Sequence, residues 1–406
     1  MAKRRFQLPG IQDLSKEQER VRALPLEGQH LIIGGPGTGK SVMALLRAQS
    51  LADNDKDYRF LVFNHLLRQS SQLLFGRELK NEQWQRWFLQ LFKANVNNEI
   101  PRLEKQPGSR YLPPLDWTAI VRLCESVEIN DEMLTRPFLV IDEGQDMPPS
   151  FYRAAADLDF VNLFVVADQN QQIVSDENSS RQDLENALGL DSSSTIELTE
   201  NYRNGYAIAR LARHFYTGDP ASPPPNLPEP ELNQVKKPIL FHYAENQFVR
   251  LINKILKVSR NNPRKLIGIL CPIDEVRKKF YLELNKVNNS SASSNFNRIG
   301  TGDDAPFLST FKSGDSHQMH FDRGGVMVIN AQACKGLEFD IVFIADIDCF
   351  PFRDGDSDNT KKLFYVMVSR AIEQVILLRQ KNRGELPIDR IIPTDASTFL
   401  EIFNVE

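Results

Sequence analysis

Short apolar runs, each followed by a turn and a helical stretch, recur along the chain. In the first half, four such runs are bounded by turn residues: His30–Gly34, Arg59–Phe63, Phe138–Asp142 and Leu163–Ala167. Runs of this kind are typical of parallel strands that are covered on both faces. Apolar residues at helical spacing over Val42–Leu51 follow the first run directly. The first half therefore predicts an α/β unit built on a parallel sheet.

A second series with the same pattern begins near residue 196. Its predicted strands are Ile239–His242, Leu266–Cys271, Val326–Asn330, Ile341–Ala345 and Val375–Leu378. Helical stretches lie between them, for example Phe248–Val258 and Glu275–Lys286. Strands that alternate with helices favour a doubly wound α/β sheet. We therefore predict two domains, over residues 1–196 and 197–406, each a mainly parallel sheet flanked by helices.

Three segments interrupt this order. Residues 76–136 contain all three tryptophans and predict a small helical insertion in the first domain. Residues 218–238 are rich in proline and predict an irregular connection or a linker. Residues 288–325 predict a short insertion in the second domain, and within it Asn288–Asn297, rich in Asn and Ser, predicts a mobile loop.

Composition permits an enzyme and excludes several other classes. A length of 406 residues suits two domains of ordinary size. The net charge of −4 excludes an overall basic nucleic-acid-binding protein, although a local groove can still be positive. No apolar run approaches the ~18 residues that a membrane span needs, and the basic N-terminus lacks the apolar stretch of a secretion signal. The four cysteines lack paired spacing, so no disulfide framework or zinc site is predicted and a reduced, cytoplasmic compartment is expected.

The first motif with chemistry is a phosphate-binding loop. Residues 34–41, Gly-Gly-Pro-Gly-Thr-Gly-Lys-Ser, fit G-x-x-x-x-G-K-[ST] between a predicted strand and a predicted helix. Backbone N–H groups and the positive end of the helix would hold the phosphates, Lys40 would reach the β- and γ-phosphates, and the Ser41 hydroxyl would bind Mg²⁺. The alternative, a glycine-rich turn that ends in Lys-Ser, does not explain the flanking strand and helix. The predicted nucleotide-binding residues of this loop are Gly35, Gly37, Thr38, Gly39, Lys40 and Ser41.

The second motif is a strand that ends in two carboxylates, Asp142 and Glu143. In a P-loop fold such a strand delivers the aspartate to the metal. Glu143 is then suited to be the general base, or the group that orients the attacking water. The alternative is a strand followed by a solvated acidic turn, and the Gly144–Asp146 continuation, Gly-Gln-Asp, weighs against it.

The motifs taken in order resemble the UvrD/Rep-like branch of superfamily 1 helicases. The resemblance implies two RecA-like P-loop NTPase domains with ATP at their interface, and DNA helicase activity with ATP and Mg²⁺ as cofactors. It covers nearly the whole chain, and six motifs in one order are far more specific than any one alone. Beyond the phosphate loop, the segments that carry it are Asp142–Asp146 (DEGQD), Ala167–Ile173 (ADQNQQI), Leu198–Arg203 (LTENYR), Lys335–Phe339 (KGLEF) and Leu363–Ala371 (LFYVMVSRA).

The resemblance assigns nucleotide contacts to four residues. Gln18 stands where the family reads the edge of adenine, and Tyr202 would stack on the base. Glu338 would contact the ribose, and Gln171 would sense the γ-phosphate from the first domain. The alternative for Gln18 is a solvated helix position, because its sequence surroundings are short and ordinary.

The resemblance also implies that Arg203 and Arg370 reach the γ-phosphate from the second domain as arginine fingers. An arginine in this role is worth roughly 10³–10⁵ in rate in P-loop enzymes. Its placement on a separate domain would make hydrolysis depend on domain closure. The alternative for both arginines is a surface salt bridge, the usual environment of this side chain.

The segments that would contact a strand depart from the family pattern. Val174–Asp176 contains no aromatic residue where the family stacks bases, an interaction worth about 1–3 kcal/mol per base. Gln332 replaces a common histidine. Asn64 is the predicted phosphate contact in Phe60–His65. Trp84–Phe88 resembles another strand-contacting segment only loosely, and an aromatic stripe on a helix is more often core.

Two functions of different class remain open. The first is an ATP-dependent helicase or translocase on single-stranded nucleic acid, with DNA preferred over RNA and 3′–5′ travel suggested by the family alone. The second is a regulatory ATPase subunit, triggered by nucleic acid, that signals to a partner protein such as a nuclease; the absence of large insertions motivates it. No membrane partner is expected. A nucleoside kinase or GTPase would need only the phosphate loop and leaves Arg203 and Arg370 unexplained.

Overall fold

The computed structural model describes most of the chain. Its described residues are 13–63, 68, 79–104, 112–127, 136–171, 178–218, 223–230, 236–293, 306–311, 321, 323–352, 357–381, 384, 386–393 and 399–404. They divide into two compact units. The N-terminal unit holds Gly39–Leu198 and the described residues up to Gly35, and the C-terminal unit holds Pro36–Thr38 and the described residues from Thr199 onward.

The N-terminal unit is built on a six-stranded sheet in the order β3-β2-β4-β5-β1-β6. Every neighbouring pair in this sheet is parallel. Its strands are β1 Gln29–Gly34, β2 Tyr58–Val62, β3 Asn81–Gln83, β4 Phe138–Ile141, β5 Leu163–Ala167 and β6 Ile196–Leu198. Its helices are α1 Lys16–Arg22, α2 Lys40–Asp53, α3 Trp84–Asn95, α4 Trp117–Ser126, α5 Pro149–Asp157 and α6 Arg181–Ala187.

Both faces of this sheet are covered, because successive strand residues point to opposite sides. Leu31 and Ile33 of β1 belong to a core that includes side chains of α3, α4, α5 and α6. Ile32, between them, belongs to a second core with α1 and α2. Continuous apolar strands are thus explained by burial on both sides.

The C-terminal unit is built on a seven-stranded sheet in the order β13-β7-β12-β11-β8-β10-β9, and again every pair is parallel. Its strands are β7 Ile239–Tyr243, β8 Leu266–Cys271, β9 Leu308–Phe311, β10 Gly325–Asn330, β11 Phe339–Ile344, β12 Ala371–Gln380 and β13 Glu401–Asn404. Its helices are α7 Tyr206–His214, α8 Phe248–Asn261, α9 Asp274–Ser293 and α10 Ser357–Ser369.

Helices cover both faces of the second sheet as well. Helices α8 and α9 pack on one face through a core that includes Ile255, Phe280 and Ile269. Helices α7 and α10 contact each other and strand β12, and the rings of Phe215 and Phe364 lie 5.2 Å apart. The predicted fold class, two α/β domains with parallel sheets flanked by helices, is confirmed.

The structure corrects the sequence predictions for the inserted segments. Within 76–136, β3 pairs with β2 and so belongs to the main sheet, and Trp84 and Trp87 are buried in the core of the unit. Asn288–Asn297 is wrong as a loop over its first part, because α9 continues to Ser293. Within 288–325, β9 pairs with β10 at the edge of the second sheet. A short strand with few apolar residues gives too weak a periodic signal to be recognised.

The described residues of the proline-rich segment 218–238, which are 218, 223–230 and 236–238, form no helix or strand, and Asn226 makes one β-bridge to Glu200. None of the described helices is long and apolar enough to cross a membrane.

Candidate nucleotide site

The phosphate loop joins β1 to α2, and Lys40 is the first residue of that helix. Its ammonium group is buried and donates hydrogen bonds to the Gly35 carbonyl at 2.7 Å and to Asp168 Oδ2 at 3.2 Å. Gly39 has a left-handed φ of 88°, which favours glycine. A Cβ there would lie 2.5 Å from Gln18 Nε2, so no other residue fits without displacing that side chain. The loop is therefore tightly packed against α1.

Ser41 and Asp142 meet at the carboxyl ends of β1 and β4. The Ser41 hydroxyl donates to Asp142 Oδ1 at 3.2 Å, and the backbone N–H of Glu143 donates to the same oxygen at 3.0 Å. Burial, and then the charge of Glu143, raise the pKa of Asp142 to about 7. Two hard oxygen donors beside a second buried carboxylate are the chemistry that Mg²⁺ prefers. The residues present fit this metal, which would neutralise the buried charge.

Glu143 has a left-handed φ of 56°, a conformation that costs energy for a residue with a side chain. Its carboxylate is buried and accepts a hydrogen bond from Gln145 Nε2 at 2.6 Å. The next residue is Gly144. A larger residue does not fit there, because a Cβ would lie 2.4 Å from Val165 Cγ1 and 2.8 Å from the Tyr152 hydroxyl. The turn therefore orients the Glu143 side chain, and Gly144 allows the main chain to pack closely against β5.

Gln145 and Asp168 are functional candidates that sequence reasoning did not assign. The side-chain oxygen of Gln145 accepts the backbone N–H of Asp168 at 2.9 Å, while its amide nitrogen donates to Glu143. Asp168 in turn accepts from Lys40. The available signal was that Gln145 and Asp168 follow β4 and β5, whose carboxyl ends meet at one edge if these strands are neighbours. One chain of contacts therefore runs from Lys40 through Asp168 and Gln145 to Glu143.

Gln18 is buried, so its interpretation as a solvated helix position is wrong. It is the third residue of α1 and forms a capping box with Ser15. Its Oε1 accepts from the Ser15 N–H at 3.1 Å, and its own N–H donates to Ser15 Oγ at 3.2 Å. This box fixes the start of α1 and places the side chain against Gly39. Its contact with adenine stays a prediction.

Two predicted residues lie partly or wholly outside what the structure describes. Gln171 ends a 3₁₀ turn, Gln169–Gln171, and its side chain is outside the described residues. Asn64, the predicted strand contact, is also outside them, as is Val174–Asp176. Their predicted roles are unchanged.

In the C-terminal unit, Arg203 and Glu338 form an ion pair. Arg203 Nε donates to Glu338 Oε1 at 2.8 Å, and a second guanidinium nitrogen donates to the same oxygen. The side chain of Arg203 is 17% exposed and that of Glu338 is 44% exposed. Nearby, the Asn204 amide donates to the carbonyls of Ser369 and Ala371. The structure thus brings together the predicted finger, the predicted ribose contact and the motif that contains Arg370.

Arg370 follows the last residue of α10 and is only 1% exposed. Its guanidinium donates to the Val366 carbonyl at 3.1 Å and to Ser369 Oγ at 3.2 Å. The alternative interpretation as a surface salt bridge is wrong for Arg370. It remains applicable to Arg203, whose ion pair is partly exposed.

Tyr202 and Gln332 are exposed. Tyr202 is 55% exposed, and its backbone N–H donates to the Gly37 carbonyl at 2.8 Å within the C-terminal unit. Gly37 has a left-handed φ of 82°, and Thr38 beside it is buried. Gln332 lies in the 3₁₀ turn Ala331–Cys334 after β10. Both exposed side chains are accessible to a ligand.

Comparison with known proteins gives one family match and several matching solved structures. Residues 325–378 match the family model of the UvrD-like helicase C-terminal domain. The C-terminal domain of a possible DNA helicase from Lactobacillus plantarum is 14% identical, with 49% of this chain and 97% of that chain covered and a TM-score of 0.33. Saccharomyces cerevisiae Dbp5 bound to RNA and ADP–BeF3 is 13% identical, with 97% and 90% covered and a TM-score of 0.49. The PRRSV helicase is 13% identical, with 90% and 55% covered and a TM-score of 0.36.

A search of curated proteins finds no match to the chain. The family match covers β10, β11, α10 and most of β12, and so includes Glu338 and Arg370. The resemblance to UvrD/Rep-like helicases that the motifs predicted is confirmed by the match of residues 325–378 to the model of the UvrD-like helicase C-terminal domain.

Proposed function

We propose that the protein is an ATP-dependent superfamily 1 helicase or translocase that acts on single-stranded DNA, travels 3′ to 5′, and uses Mg²⁺. The observation that carries the proposal is the connected set of side chains in the N-terminal unit, from Lys40 through Asp168 and Gln145 to Glu143, with Ser41 on Asp142 beside it. A phosphate-binding loop needs only the lysine, whereas hydrolysis also needs an oriented carboxylate. The preference for DNA and the direction rest on the family resemblance alone.

The chemistry follows from where each group is held. Lys40 would exchange its hydrogen bonds to Gly35 and Asp168 for hydrogen bonds to phosphate oxygens. Glu143, held by Gln145, would accept a proton from the attacking water. Mg²⁺, when bound by Ser41 and Asp142, supplies charge neutralisation to the phosphates. The left-handed backbone of Glu143 and the hydrogen bond from the buried Gln145 amide hold the carboxylate in place before the substrate binds. A general base benefits from such pre-organisation.

The C-terminal unit would contribute Arg203 and Arg370 as charge donors to the γ-phosphate. Arg203 is held by a partly exposed ion pair with Glu338, and such pairs are worth only about 0–1 kcal/mol. Its release to a phosphate is therefore inexpensive. A cycle in which this exchange accompanies hydrolysis would couple ATP turnover to movement of the two units.

Streptavidin displacement tests the proposal most specifically. A single-stranded oligonucleotide carrying streptavidin on a 5′-terminal biotin should be cleared in an ATP-dependent manner, and one blocked at the 3′ end should not. Glu143→Gln is the control, since it keeps the nucleotide site but removes the base. Displacement only from the 3′ end would overturn the direction. Continued ATP turnover with no displacement from either end would contradict the motor and favour a regulatory ATPase subunit, with a partner protein such as a nuclease.

A further inference from the structure

A single stretch of the C-terminal unit carries strong positive charge. Residues 246–273 contain no Asp or Glu and six basic residues, in a chain whose net charge is −4. The six are Arg250, Lys254, Lys257, Arg260, Arg264 and Lys265. Segregation of this degree creates a local positive potential that the total charge conceals.

Helix α8 directs this charge outward. Its apolar face, which includes Ile252 and Ile255, is buried against the sheet. Arg250, Lys254, Lys257 and Arg260 are all exposed, and we call these four the basic face. At 1.5 Å per residue they span about 15 Å along the helix. Because the apolar face is already buried in the core, α8 has no face left to insert into a lipid bilayer.

Three of the four residues of the basic face, Lys254, Lys257 and Arg260, form no ion pair within the part of the chain that the structure describes. On the neighbouring helix α9, by contrast, Lys278 pairs with Asp274 and Lys286 pairs with Glu283. The two helices therefore differ: lysines of α9 are paired with carboxylates of their own helix, whereas Lys254, Lys257 and Arg260 of α8 are not paired with a described carboxylate.

Exposed aromatic surface lies beside the basic face. Phe403 of β13 is paired in register with Phe241 of β7, so both rings lie on the same side of the sheet. Phe241 packs against the core beneath α8, and the Lys254 ammonium lies 5.1 Å from the centre of its ring. Phe403 is 46% exposed. Positive charge next to an exposed ring is the combination that binds single strands without sequence preference.

The basic face begins near the carboxyl edge of the C-terminal sheet, where a predicted strand contact also lies. Helix α8 begins shortly after β7 ends, so Arg250 lies toward the carboxyl edge of the parallel sheet. Gln332, which follows β10, lies at that same edge and is a predicted strand contact. A strand held there could continue along α8 toward Arg260.

We propose that the basic face of α8, with Phe403 at its side, is a second contact for single-stranded nucleic acid and binds its phosphate backbone outside the helicase motifs. This rests on the proposed function, since it extends the path of the same strand. The ligand class is a polyanion with stackable bases, which distinguishes it from an acidic protein surface.

The test compares two double variants of the full chain. Lys254→Gln with Lys257→Gln removes two charges from the basic face, and Lys278→Gln with Lys286→Gln removes two from α9. Binding of a fluorescent oligothymidine of about 30 nucleotides is measured by anisotropy across a salt series. Each phosphate contact with a single strand contributes about 0.7 to the slope of log affinity against log salt. The first variant should therefore lose about 1.4 in slope and bind roughly 25-fold more weakly at 0.1 M salt.

The control variant should bind like the wild type, and strand-independent ATP turnover should be unchanged in both. Phe403→Ser should weaken binding at least about fivefold with the slope unchanged, because stacking releases no counterions. An unchanged slope in the α8 variant would overturn the inference, whatever else that face binds. A wild-type protein that binds no strand at all would instead overturn the proposed function. Lys257→Gln alone, which removes no hydrogen bond or ion pair to a described residue, separates lost binding from damaged folding.

Discussion

The two units hold their candidate catalytic residues in different ways. In the N-terminal unit, Lys40, Asp168, Gln145 and Glu143 are buried and joined to one another at the carboxyl ends of adjacent parallel strands. In the C-terminal unit, Arg203 is partly exposed and paired with Glu338, whereas Arg370 is buried and donates to the Val366 carbonyl and to Ser369 Oγ. The first set is buried throughout, whereas the second combines a partly exposed arginine with a buried one.

The difference indicates a division of labour. A connected, buried set cannot change one member without disturbing the next, which suits a site that must be ready before the substrate arrives. The partly exposed Arg203 can change partners at little cost, which suits a group that engages for only part of a cycle. The following predictions test this contrast, from the largest expected effect to the smallest.

Arg370→Ala should reduce kcat for ATP hydrolysis by about 10³–10⁵, with ATP affinity changed far less, because an arginine finger acts in the transition state. Arg379→Ala is the matched control, since Arg379 pairs with Asp389 in the same unit and carries no predicted role. Steady-state kinetics and equilibrium binding of a fluorescent ATP analogue separate the two quantities. Equal losses in rate and affinity would make Arg370 a binding residue.

Glu143→Gln should lower kcat by about 10²–10⁴ and leave nucleotide binding intact, because only the proton acceptor is removed. Lys40→Ala should by contrast weaken binding as well as stop turnover. The two variants are compared by single-turnover hydrolysis and by nucleotide binding. Normal turnover in Glu143→Gln would remove this carboxylate from the mechanism.

Gln145→Leu should lower kcat by up to about 10²-fold while KM for ATP changes little. It removes the bond that aims Glu143 and the bond to Asp168, and a misplacement of about 1 Å can cost this much. Gln182→Leu is the control, because among the described residues this glutamine of the same unit donates its side-chain hydrogen bond to exposed Asn186. A change confined to KM, or to the melting temperature, would mean that Gln145 serves stability and not the base.

Asp142→Asn should stabilise the nucleotide-free protein at alkaline pH while it abolishes turnover. Burial raises the pKa of Asp142 to about 7, so the folded state disfavours the charged form. The stability of the wild type therefore falls as pH rises from the ordinary pKa of the carboxyl toward about 7. The shift corresponds to an upper bound of roughly 4 kcal/mol.

Thermal unfolding in EDTA at pH 5 and pH 8 measures this effect. The advantage of Asp142→Asn over the wild type should be small at pH 5 and larger at pH 8. The opposite trend, or none, would show that the charged carboxylate is not disfavoured. Ser41→Ala, which removes one hydrogen bond to the same oxygen, is a control for the loss of local contacts.

The sequence was sufficient for the long, strongly patterned elements. Leu163–Ala167 and Leu266–Cys271 were predicted with their observed bounds, because burial on both faces makes such strands continuously apolar. The short strands Asn81–Gln83 and Leu308–Phe311 were missed because pairing at a sheet edge, and not their own composition, makes them strands. Asn288–Ser293 was expected to be loop because Asn and Ser disfavour helix interiors, yet α9 continues through it.

The candidate site could likewise be predicted only where its residues lie within a local sequence motif. Motif spacing identified Lys40, Ser41 and Asp142 as candidates, since their chemistry is local to one turn. It could not reveal that Gln145 links Glu143 to Asp168, because that contact depends on which strands are neighbours. Nor could it reveal that Arg370 is buried, since an arginine that follows a helix is exposed by default.

The most direct test of the whole account is the rate of ATP hydrolysis by the full chain in Mg²⁺, with and without single-stranded DNA, beside Glu143→Gln. We predict turnover that the strand stimulates in the wild type and that is lost in the variant under both conditions. Wild-type hydrolysis no faster than that of Glu143→Gln, with or without the strand, would contradict the assignment of this site as the ATP-hydrolysing site of a nucleic-acid motor.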